Sequence, residues 1–132
     1  MKHLFVTYKI AKLLKEKGFN EMCFAYYPST CLNPDLLIPS QYKETAIFYD
    51  RPHNTLTLAP MHQQAVDFIR EKLDIQINIT WNKFYEKTPY QYEYRPTWRN
   101  EPVRPYGFGG MSETYNEALN SAIEGALNYK PE

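Results

Sequence analysis

The chain has no long apolar run, little cysteine, little glycine and no excess of charge of either sign. Each of these absences excludes something. No stretch approaches the ~20 apolar residues that a membrane-spanning helix needs. Two cysteines in 132 residues, Cys23 and Cys31, form no C-x-x-C pair, which leaves neither a disulfide framework nor a cysteine zinc ribbon. Fifteen basic and fifteen acidic residues give a formal net charge of +0 and a pI of about 6.8, which argues against a nucleic-acid coat and against a membrane-surface protein. H-E-x-x-H, G-x-S-x-G and the phosphate-loop lysine are all missing, so no motif dictates a reaction. His3, His53 and His62 fall in three separate elements, and none has a carboxylate or thiol at ligand spacing; no metal and no cofactor are expected. Lys9 and Lys12 interrupt the apolar residues near Met1, so a cytoplasmic protein with reduced thiols is expected.

What the chain does have is period. Thr7 stands as N-cap to a helix over Tyr8–Lys17, with Ile10, Leu13 and Leu14 inward and Gly18 placed for a left-handed ending onto which Phe19 folds. Met22–Tyr27 reads as a strand stopped by Pro28, and 28–43 as a long loop containing Pro34 and Pro39. "TAIFYD" and "TLTLA" flank the turn "RPHN" as a hairpin, after which Pro60 opens a second helix with Met61, Ala65, Phe68, Ile69 and Leu73 buried. In "IQINITW", Ile75, Ile77, Ile79 and Trp81 alternate with Gln76, Asn78 and Thr80, which predicts a strand with its apolar residues toward the helices. Tyr90, Tyr92 and Tyr94 alternate likewise, and Pro89 delays the start of that strand or puts it on an edge. Thr114-x-x-Glu117 is a capping box for a third helix, whose core stripe is Ala118, Leu119, Ala122, Ile123, Ala126 and Leu127. The pattern predicts one α+β domain over 1–132. It has an antiparallel sheet of about five strands, three helices covering one face, the order α-β-β-β-α-β-β-α, and long loops over 28–43 and 95–112.

"FVTYKIAKLLKEKGFNE", "LAPMHQQAVDFIREKLDIQINI" and "TYNEALNSAIEGALNY" resemble segments of small hypothetical proteins of Bacteroidetes phages and prophages. The three blocks cover under half of the chain and consist of helix caps and core stripes. The resemblance implies a context only: a phage accessory protein made in a host cytoplasm, with no activity and no catalytic residues to carry over.

The chain is most individual between Trp81 and Met111, and within that region stands Tyr92–Gly110, "YEYRPTWRNEPVRPYGFGG". It holds five aromatics, three arginines, three prolines and three glycines. Arg95, Trp98, Arg99, Arg104, Tyr106, Phe108, Gly109 and Gly110 are the candidate site. Tyr, Trp and Arg dominate binding hot spots, and guanidinium groups pair with anions. An alternative stands beside this: Trp98 and Phe108 tuck under the sheet and close the core. Tyr92 and Tyr94 read as sheet-face packing. "GFGG" reads as a lead-in to the third helix in preference to a phosphate cradle, because Glu113 beside it repels anions. Glu86 and Glu93 share a hairpin, where charged cross-strand pairs are commoner than paired catalytic acids. The expected function is a non-catalytic binding protein, serving host takeover or evasion of host defence. It would hold an anionic small molecule such as a nucleotide signal, or a host protein, and form a homo-oligomer. Duplex DNA is not expected, since three clustered arginines neutralise too few phosphates. A structural role, with the proline-rich arm lacing subunits of an assembly together, is the alternative.

Overall fold

The computed structural model describes residues 2–28, 34–38, 56–96 and 108–130. Helices and antiparallel strands are both present, and the fold is α+β. The chain divides into two compact units, Met1–Ala65 and Val66–Glu132.

In the first unit a single 3-10 turn, Lys2–Leu4, leads into helix α1, Tyr8–Glu16. Thr7 caps α1 as expected: its hydroxyl accepts the Ile10 N–H at 3.3 Å. Gly18 takes φ 90°, and the Phe19 N–H closes back on the Leu14 carbonyl at 2.9 Å, burying the Phe19 ring. The strand expected over Met22–Tyr27 is shifted: β1 is Ala25–Pro28. It pairs antiparallel with β2, Leu56–Ala59, which joins Ala25 to Ala59 and Pro28 to Leu56. Proline is tolerated at the last pair of β1 because the ladder ends there. "TAIFYD" lies outside the described residues, so the hairpin drawn through "RPHN" does too. Tyr27 ties strand to helix entry, donating its hydroxyl to the Val6 carbonyl at 2.7 Å inside the core.

Helix α2 is His62–Leu73 and so begins two residues after Pro60. Pro60 instead offers its carbonyl to the Val6 N–H at 3.1 Å. Ala65, Phe68 and Ile69 are buried as the stripe predicted, with Met61 and Leu73 half-buried at its ends.

The second unit takes in α2 from Val66 onward and a three-stranded sheet covered by a further helix. Asp74 alone connects α2 to β3, Ile75–Trp81, by taking a left-handed φ of 55°. Aspartate is among the few residues that adopt this conformation at low cost. β4 is Tyr90–Pro96 and β5 is Phe108–Ser112, in the order β3-β4-β5. The predicted hairpin is therefore present, and Tyr90 opens its returning strand directly after Pro89. β5 was not expected. It occupies the end of the supposed 95–112 loop, while Arg95 and Pro96 belong to β4. Five strands are described, but they form two sheets and not one.

Helix α3, Tyr115–Asn128, buries the full predicted stripe and packs on all three strands. Thr114 caps it, accepting the Glu117 N–H at 3.1 Å. Cross-strand partners share a face, so Ile75, Ile77, Ile79 and Trp81 share theirs with Tyr94, Tyr92 and Tyr90. That is the face α3 covers, because the Tyr94 ring lies against Gly125 of α3. The face assignment of β3 holds, yet burial fades along it. Ile75 is buried, Ile77 and Ile79 are half-buried, and Trp81 is 62% exposed. β3 is an edge strand, and its far end runs past the shelter of the helix.

Candidate functional site

The eight residues proposed from sequence divide into two groups. Trp98, Arg99, Arg104 and Tyr106 lie outside the described residues. Arg95, Phe108, Gly109 and Gly110 are described, and they do not form one patch. Phe108 stands opposite Tyr94 and faces α3. Its ring stacks on Tyr94 at 5.6 Å and 24°, and leans on Tyr129 at 5.4 Å. For Phe108 the packing alternative is thus the observed one. Arg95 points to the opposite face, where its guanidinium meets Glu93 at 2.8 Å. Both side chains are at least a third exposed, so the pair adds little to stability.

Gly109 and Gly110 are strand residues, not a flexible lead-in. A side chain at Gly109 would overlap the Tyr92 carbonyl oxygen, and one at Gly110 would meet the Tyr92 hydroxyl at 2.6 Å. Close passage beside Tyr92 is the structural use of these two glycines.

Among the described residues the remaining sequence candidates show no chemical preparation. Cys23 is buried and its thiol donates to the Glu21 carbonyl at 3.3 Å. Burial, helped by the nearby Glu21 carboxylate, pushes that thiol up to about 12. A nucleophilic cysteine requires the opposite shift. His62 is buried as the first residue of α2, and His53 and Cys31 are outside the described residues. Among the described residues no three His, Cys, Asp or Glu side chains gather as a metal site.

A different cluster emerges at the hairpin end of the three-stranded sheet. Trp81 pairs with Tyr90, and Tyr90 in turn pairs with Ser112 of β5. Tyr115, the first residue of α3, meets the Tyr90 ring edge-on at 6.1 Å and 79°. Beyond this row the β3–β4 loop carries Phe84 and Tyr85. The loop is wired locally. The Asn82 N–H donates to the Pro89 carbonyl at 2.7 Å, and the Asn82 side-chain oxygen accepts the Phe84 N–H at 3.0 Å. The Tyr85 N–H closes on the Asn82 carbonyl at 3.2 Å. Lys83 sits over the Phe84 ring at 5.6 Å, and the Thr88 hydroxyl reaches the Met111 sulfur at 3.8 Å.

Phe84 is 80% exposed, and Trp81, Tyr85, Met111 and Tyr115 are exposed as well. Every exposed large apolar side chain among the described residues of this unit is at this end. One signal in the sequence marks it. "WNKFYEKTPY" carries Phe84 and Tyr85 inside a hairpin loop, where turn geometry needs Asn and Pro but has no need of two aromatics. No family model, no curated protein and no solved structure matches the chain.

Proposed function

We propose that the protein is a non-catalytic binding protein and that the hairpin end of its three-stranded sheet holds a partner protein. The gathering of Trp81, Phe84, Tyr85 and Tyr115 at the hairpin end carries this reading, with Met111 exposed on the other face of the sheet at the same end. Large apolar side chains left contiguous in water mark interaction sites, and Trp and Tyr supply large contact area at low entropic cost. The loop is held by its own hydrogen bonds, so less ordering cost falls on association. Charge favours a protein partner over an anionic one. Lys83 and Lys87 stand close in sequence to Glu86, and Glu113 and Glu117 flank Tyr115, so no field of one sign selects phosphate.

The experiment compares immobilised wild type with the Phe84→Ala/Tyr115→Ala double variant in extract of the cell that makes the protein, followed by calorimetry on the purified partner. Retention of one protein by the wild type, with affinity at least tenfold weaker for the variant, is expected (about 1.4 kcal/mol or more). Equal retention by both would contradict the reading.

A further inference from the structure

We infer that the open edge of β3 is a self-association site, where β3 of a second copy adds antiparallel to extend the three-stranded sheet to six. This goes beyond the hairpin-end reading, since it rests on the backbone edge of β3, and Trp81 is the one ring the two surfaces share. The ladder phase gives the first observation. The Asn82 N–H bonds the Pro89 carbonyl, which makes that position a hydrogen-bonded pair of the β3–β4 ladder. Such pairs alternate along antiparallel strands. Gln76, Asn78 and Thr80 therefore turn their backbone groups toward β4, and Ile75, Ile77, Ile79 and Trp81 turn theirs to the free edge. Among the described residues β3 pairs with β4 alone.

The second observation is that this edge lacks the usual protection. Edge strands are blunted by charge, proline, bulges or brevity. β3 is seven residues, "IQINITW", with none of these. In the other sheet the contrast is visible: Lys15 Nζ occupies the Leu56 carbonyl of β2 at 3.3 Å, and β1 bridges Leu37 on its outer side.

The third is self-complementarity. Two-fold pairing sets a surface against its own copy, so any charge near the axis meets its like. β3 carries no charge. With Asn78 opposite Asn78 of the second copy, Ile77 faces Ile79 and Ile75 faces Trp81. Every outward backbone group is then paired and the apolar face stays continuous. At each end Asp74 of one copy falls one residue from Lys83 of the other, with opposite sign.

Sedimentation of the full chain tests this. The wild type is expected at dimer mass, and Asn78→Lys, which sets two ammonium groups face to face on the axis, at monomer mass with an unchanged circular dichroism spectrum. A Cα separation of about 4.5 Å at a non-hydrogen-bonded pair suits a disulfide. Asn78→Cys on a Cys31→Ser background should therefore oxidise to a covalent dimer, whereas Gln76→Cys should not. A wild type that stays monomeric at all concentrations, or a dimer untouched by Asn78→Lys, would overturn the inference. The hairpin-end reading is unaffected by either result, because Phe84 and Tyr115 are tested separately.

Discussion

The Tyr94 ring lies directly against Gly125, so closely that a methyl group on Gly125 would overlap the ring edge at Cε1. Phe108 stacks on the same ring from β5, so three elements meet at one aromatic side chain. Gly125 is an interior residue of α3, where glycine would ordinarily cost about 1 kcal/mol relative to alanine. Its place there is explained by the approach of helix to sheet.

Gly125→Ala should accordingly destabilise the protein, against the direction of helix propensity. Overpacking of this kind costs about 1–3 kcal/mol. Urea denaturation reads the sign directly, and a stabilised variant would show that Tyr94 yields freely.

Thr114→Ala should lower stability by about 0.5–2 kcal/mol, because the Glu117 N–H loses its acceptor. Glu117→Ala, which keeps that acceptor, should cost less in the same melt.

Position along β3 should set the cost of truncation. Ile75→Ala removes a buried side chain and should cost about 2–5 kcal/mol. Ile77→Ala, on the same face but half-buried, should cost on the order of 1 kcal/mol. Equal losses would mean that the helix shelters the whole strand.

Alkaline pH should unfold the protein partly through Cys23. The folded thiol is raised from 9.0 to about 12, so the native state holds its proton more tightly than the unfolded chain. That contribution is fully present below pH 9.0 and is lost as pH rises toward about 12. The slope is up to about 1.4 kcal/mol per pH unit. Burial raises Tyr27 in the same sense. Chemical denaturation at stepped pH should show the decline, and Cys23→Ala should flatten its part between pH 9.0 and about 12.

Much of this fold is legible in the sequence because its helices announce themselves twice, by stripe and by cap. Thr7, Gly18 and Thr114 behave as their residue types dictate, since capping is settled within a few residues of chain. Strand partners are less legible. Nothing local in "FGGMS" says strand: its two glycines are poor strand formers, and they are there because Tyr92 crosses closely on β4. The same holds for the division into two sheets, which depends on pairing between β1 and β2 across a long stretch of chain. Arginine and aromatics are densest over Tyr92–Gly110, but composition carries no face. Arg95 and Phe108 turn out on opposite sides of one sheet. The hairpin-end cluster is illegible in the sequence because Tyr115 is distant from Trp81 along the chain and joins it through Tyr90.

A photo-crosslinking amino acid placed at Phe84, in the cell that makes the protein, tests the binding reading most directly. The same probe at Asn128, exposed at the far end of α3, serves as the control. The account predicts one defined covalent adduct with a different protein from Phe84, none from Asn128, and loss of the Phe84 adduct when Tyr115→Ala is added. Equal labelling from both positions, or none from Phe84, would contradict it.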